Sequence, residues 1–213
     1  MEVIREKIKD VMSNYTNEIS DLPNVESFNP EIQTELKENY LKKTRESNLS
    51  ELENILKDVQ RKKRILEISI YDKRFPASSK SVLNNNELQI EVIRQRAENL
   101  AMSELNFNII KYLRNEIEKN NIDFISYFSD AVNLNSNLPL DLRNEMNEIF
   151  NEVAISSGVT NLKKESEIYS AIENKINACK DVINENDSVK KIELMYIDNE
   201  IEKLKSELVP VVV

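Results

Sequence analysis

Residues 86–120 read NELQIEVIRQRAENLAMSELNFNIIKYLRNEIEKN, and their reading decides the fold. Ile93, Ala97, Ala101, Leu105, Ile109, Leu113 and Ile117 recur at every fourth position. That period belongs to a helix, since a half-buried strand would alternate at every second residue. Steps of four overshoot a helical turn by about 40° each, so the apolar stripe spirals around the axis. Either one long helix is touched on different sides, or the helix kinks near Ser103–Asn108. Both readings make this stretch the central element of an all-α protein.

The same period runs outward toward the N-terminus. Ile4, Ile8, Val11, Met12, Tyr15 and Ile19 predict a helix over 2–20. Asn29-Pro30 is a start signal, with asparagine as cap and proline at the first helical position. Ile32, Leu36 and Tyr40 carry that helix to near Arg45. Ser47–Ser50 predicts a break or bend. Ser50-x-x-Glu53 is a capping box for a third helix bearing Leu52, Leu56, Val59 and Leu66. Residues 74–86 are the clearest interruption, and a lobe boundary would fall there.

Toward the C-terminus, Asn120-Asn121 can stop a helix through a left-handed residue. Asp123 reads as the cap of a short helix that presents Phe124, Tyr127, Phe128 and Ala131 on one face. Pro139 starts another, with Leu142, Met146, Ile149, Phe150 and Val153 inward. Gly158, the chain's one glycine, suits the left-handed position after that helix, with Val159 packing back. Ile168, Ile172, Ile176, Cys179 and Ile183 form the next stripe. In the last helix, 188–208, Leu194, Ile197, Ile201, Leu204 and Leu208 step by three and four as a coiled-coil-like seam. Ile192, Met195 and Tyr196 add a second apolar edge. The expected fold is an irregular all-α bundle of about seven or eight helices in one domain, 1–208, with a long central helix. Val209, Pro210, Val211, Val212 and Val213 follow as an extended tail, because Pro210 cannot continue the helix and β-branched residues favour extended backbone.

Composition excludes whole classes of chemistry. With no histidine and one cysteine, His-based triads, zinc fingers and internal disulfides are out. One glycine cannot build the glycine-rich loops that cradle phosphates. The net charge of −9 argues for solubility and against direct binding to nucleic acid. No apolar run approaches membrane-spanning length, and no secretory leader is apparent at the N-terminus. A cytoplasmic location, or a virion if the chain is viral, is therefore expected. So is the absence of any cofactor or metal. The excess of Asn, Ile, Lys and Glu fits an AT-rich genome.

Four weaker patterns remain. Asp141, Glu145, Glu148 and Glu152 align four carboxylates on one helix face. Glu145 and Glu148 resemble the first Glu-x-x-Glu pair of magnesium-dependent all-helical nucleotide pyrophosphohydrolases. No second pair follows downstream, so the resemblance ends there, and the line reads as a solvated face or a contact for a basic partner. Lys57, Arg61, Lys62, Lys63 and Arg64 form the one basic cluster. It has i,i+4 acidic partners on its own helix and no interleaved aromatics for base stacking. Ser188-x-x-Lys191 resembles the Ser-x-x-Lys of penicillin-binding enzymes without their companion elements, and Ser188 reads as a helix cap. Cys179 lies on an apolar stripe and reads as a small buried hydrophobe.

No residue set amounts to a catalytic centre. The expectation is a non-enzymatic structural or assembly protein acting through protein–protein contacts, such as a phage or viral adaptor or scaffold. Its partner would be another protein or further copies of itself. The predicted contacts are the tail (Val209–Val213) and the seam (Leu194–Leu208). The alternative is an acidic regulator or inhibitor that covers a basic surface of a nucleic-acid enzyme with the Asp141–Glu152 line.

Overall fold

The structure, a computed structural model, describes residues 1–21, 29–78, 87–103, 105–185 and 188–208. Its helices are α1 (Glu2–Ser20), α2 (Pro30–Arg74), α3 (Glu87–Ala101), α4 (Asn108–Glu118), α5 (Ile122–Leu134), α6 (Leu140–Ser156), α7 (Val159–Glu185) and α8 (Ser188–Ser206). No strand occurs among the described residues, and the fold is all-α. Among them no helix is long and apolar enough to cross a membrane. The predicted tail, 209–213, lies outside the described residues.

Two compact units divide the chain: Met1–Ile65 with Lys164–Val213, and Leu66–Lys163. The division falls within α2 and α7, not at 74–86, and the first unit is assembled from both ends of the chain.

In the first unit, α1, the early part of α2, most of α7, and α8 supply the core. Ile4, Ile8, Val11 and Tyr15 are buried from α1, as their spacing predicts. Leu52, Leu56 and Val59 are buried from α2, and Ile168, Ile172, Ile176, Cys179 and Ile183 from α7. Polar fasteners ring this core. The Tyr15 hydroxyl donates to the Ile183 carbonyl at 3.1 Å, and Lys180 meets Glu53 at 2.6 Å. The predicted interruption at Ser47–Ser50 does not occur, and α2 runs through it for 45 residues. The reason lies in Asn48. Its buried amide donates to the Thr44 carbonyl and to Glu18, both at 2.9 Å. One amide bond runs back a turn along the same helix and the other reaches Glu18 of α1, so the side chain is satisfied without a turn and the helix continues.

The second unit reverses that outcome. Residues 86–120 are not one long central helix: α3 stops at Ala101 and α4 begins at Asn108. Asn135 donates to the Ala101 carbonyl at 2.9 Å, which satisfies a helix-end acceptor. Asn106 Oδ1 then accepts the Asn108 N–H at 2.9 Å and starts the next helix. The spiralling stripe is thus resolved by a break in the Ser103–Asn108 region. Ala97 and Ala101 before it, and Ile109 and Leu113 after it, reach the same core. At the middle of that core sits α5, with Phe124 and Phe128 fully buried and their rings stacked at 6.0 Å. Leu142, Met146, Ile149 and Val153 close it from α6.

Two predicted helix stops hold. Asn120 takes a φ of 57° after α4, and Gly158 takes 73° after α6. The Gly158 N–H donates to the Ile155 carbonyl at 2.9 Å, and Val159 is buried behind it. A Cβ at Gly158 would lie 2.9 Å from Lys73 Nζ. That contact is the far end of a flexible side chain and can move, but the left-handed backbone cannot. Gly158→Ala is therefore expected to destabilise the protein by about 1 kcal/mol. The urea unfolding midpoint measures it.

Asp123 is not the predicted cap of its own helix. It lies inside α5, buried, and reaches a segment 45 residues earlier in the chain. Its carboxylate accepts the N–H groups of Ala77 and Ser78, both at 2.9 Å, and the Ser78 hydroxyl at 2.8 Å.

Glu116 is a second buried carboxylate, with a side chain only 2% exposed. It accepts from Asn121 at 2.7 Å and Lys119 at 3.1 Å, and Arg96 lies at 3.5 Å. Burial alone would raise its carboxyl. The hydrogen bonds from Asn121 and Lys119, with the charges of Lys119 and Arg96, outweigh burial and hold it below the ordinary value. A carboxyl depressed in the folded state stabilises above its unfolded value. That contribution is lost as pH falls through the lowered folded value. Glu116→Gln should accordingly cost about 1–3 kcal/mol near neutrality and less in acid, as unfolding titrations at the two conditions would record.

Candidate functional site

The seam Leu194, Ile197, Ile201, Leu204 and Leu208 does not form an outward surface. Ile201 is fully buried, Ile197 is buried, and Leu194, Leu204 and Leu208 are half-buried within the single chain. Ion pairs fix α8 in that orientation. Asp198 meets Lys175 of α7 at 2.6 Å and Arg5 of α1 at 3.4 Å. Glu202 also pairs with Arg5, and Glu2 of α1 pairs with Lys205. The seam is thus occupied by the chain's own helices, because a stripe reveals that it wants a partner without saying which one.

The second apolar edge is the one left outside. Met195 and Tyr196 are 69% and 70% exposed. Single exposed hydrophobics are ordinary, but two large ones adjacent on the side of α8 away from Ile201 make a small anchor surface. Ile192 belongs to the same edge by register, though its side chain lies outside the described residues.

The acidic line falls on the exposed side of α6. Asp141, Glu145, Glu148 and Glu152 are all exposed, and Glu152 has Arg114 of α4 at 3.7 Å. Among the described residues no group of three or more potential ligands gathers to hold a metal ion. The basic cluster on α2 is partly spent across helices, with Lys63 at 3.5 Å from Glu173 of α7. Glu53, its expected same-helix partner for Lys57, is taken instead by Lys180. Cys179 is buried, and burial pushes its thiol up to about 12. A thiol protonated at neutral pH is a poor nucleophile and metal ligand. Ser188 is the first residue of α8, so it stands inside the helix and not ahead of it.

Sequence reasoning missed Glu116 and Asp123 as buried carboxylates. The partners of Asp123 come from a segment 45 residues earlier, while Glu116 has Lys119 and Asn121 close in sequence and is buried by packing that no local pattern announces. Comparison with protein families, with curated proteins and with solved structures finds no match for this chain.

Proposed function

We propose that this chain is a non-enzymatic assembly protein that works through protein–protein contacts, as an adaptor or scaffold subunit of a phage or viral particle does. It would act in the cytoplasm of its cell or host, or in a virion. The observation that carries the reading is the outer edge of α8. Met195 and Tyr196 are exposed side by side on a helix whose opposite face is already buried. Aromatic and methionine side chains are enriched at interface cores, where they supply large contact area. The high value of the Cys179 thiol supports the non-enzymatic half, because it removes the chain's one sulfhydryl nucleophile.

The test is sedimentation over a concentration series, and on the partner once captured. Met195→Lys combined with Tyr196→Lys should weaken association by about tenfold or more, which is 1.4 kcal/mol or more of binding. Helicity and thermal midpoint should stay unchanged, because neither side chain is in the core. Deleting 209–213 should likewise weaken assembly and leave helicity nearly intact. Loss of the fold on that deletion would return the tail to the chain's own core. Association untouched by both changes would remove the proposal.

The exposed line on α6 favours a second reading, an acidic regulator that binds a basic surface of a nucleic-acid enzyme. Neutralising Glu145, Glu148 and Glu152 together separates the two. The regulator loses its target, and the assembly protein keeps its own.

A further inference from the structure

The second unit contains a cleft of about 230 Å³ bounded by the end of α2, by α5 and α6, and by the start of α7. Its floor includes an apolar patch at Ile125, Phe150 and Val153, beside the polar Ser126, Ser129 and Asn133. Its rim carries three cations, Lys73, Arg74 and Lys163, and among the described residues no carboxylate lines it. In a chain of net charge −9 that separation of signs needs an explanation.

Internal pairing accounts for only part of it. Arg74 meets Asp130 at 2.6 Å through one terminal nitrogen, which leaves its other donors. Lys73 Nζ donates to the Ser157 carbonyl at 2.9 Å. That bond caps the end of α6 and helps fix the amine at the rim, yet it neutralises no charge and leaves two N–H donors. Lys163 makes no ion pair among the described residues. Among the described residues, two of the three cations therefore have no carboxylate partner. Asn147 and Asn151 add amide donors one helical turn apart on the α6 wall.

We infer that this cleft binds a small organic anion, with its acidic head between Lys73, Arg74 and Lys163 and its apolar body on the Phe150 floor. Three features select that class. The volume lies below the ~300–1,000 Å³ of pockets for drug-sized ligands, so the ligand is small. The rim charge demands an anion, and phosphate or carboxylate accepts from lysine and arginine alike. The apolar patch rewards a ring or branched chain that a bare inorganic anion lacks. This site is independent of the α8 edge, and either can stand without the other.

The experiment titrates the full chain by heteronuclear NMR with phenyl phosphate and, separately, benzoate. Inorganic phosphate and phenol serve as the head and the body alone. Saturable shifts at Ile125, Phe150 and Val153 are expected with at least one of the two organic anions, at a Kd of about 1 mM or tighter. Phenol and inorganic phosphate should each bind at least about tenfold more weakly than that anion. Lys163→Glu should weaken the complex by about tenfold or more with an unchanged thermal midpoint, since Lys163 is exposed and makes no ion pair among the described residues. Lys73→Gln should also weaken it; if that variant unfolds, Lys163→Glu still decides. Absence of saturation with both organic anions overturns the inference. So does inorganic phosphate binding as tightly as the organic anion, or affinity that survives Lys163→Glu.

Discussion

Phe124→Ala should destabilise the second unit by about 3–5 kcal/mol, the range for deleting a fully buried aromatic ring. Phe124 is fully buried at the centre of that unit's core. Its ring stacks on Phe128 at 6.0 Å and meets Tyr112 edge-on at 5.8 Å. The Arg96 guanidinium sits 5.2 Å from the ring centroid. Truncation therefore forfeits apolar burial, two aromatic contacts and one cation–π contact together. The cavity would lie among residues of α3, α4, α5 and α6, which cannot all collapse into it. Urea unfolding followed by Tyr fluorescence and by helicity should show the loss. Hydrogen exchange should show it concentrated in 87–134. A loss below about 1 kcal/mol would mean that the core is not organised around α5.

Asp123→Ala should cost about 2–4 kcal/mol, more than a surface carboxylate ever would. The carboxylate is buried and accepts three hydrogen bonds from Ala77 and Ser78. Removing it strips the acceptor from two backbone N–H groups that cannot both turn to water, and the segment that follows α2 loses its tether to α5. Asp123→Asn keeps the shape and one acceptor oxygen, so it should recover part of the loss. Denaturant midpoints of the two variants, with exchange rates of the Ala77 and Ser78 amides, measure both effects. Unchanged amide exchange in Asp123→Ala would show that the tether does not hold that segment.

Stripes were the legible part of this fold. Ile168, Ile172, Ile176, Cys179 and Ile183 are all buried where their spacing put them, and so are Ile4, Ile8, Val11 and Tyr15. Gly158 and Asn120 stop helices for the backbone reason their residue types suggest. Helix continuity was not legible, and two asparagines show why. Asn48 sustains a helix because Glu18 accepts from it, and Asn135 secures the end of another because the Ala101 carbonyl is within its reach. Both decisions are made by partners distant in sequence, so local propensity points the wrong way at Ser47–Ser50 and leaves the choice open at Ser103–Asn108. Which edge of α8 turns inward was not legible for a related reason. The seam and the second edge of α8 are both apolar, and ion pairs from Arg5 and Lys175 to Asp198 of α8, with Lys205 of α8 reaching Glu2 of α1, hold the seam inward. The cationic cleft was invisible because Lys73, Arg74 and Lys163 come from opposite ends of the second unit's sequence.

Hydroxyl-radical footprinting of Met195 and Tyr196, in the isolated chain and in the assembly recovered from the source cell or particle, tests the central claim most directly. Both side chains should oxidise readily in the isolated chain, and both should be protected in the assembly, while exposed Leu88 on α3 serves as an internal reference. Equal oxidation of Met195 and Tyr196 in the two states would contradict a partner contact on the outer edge of α8.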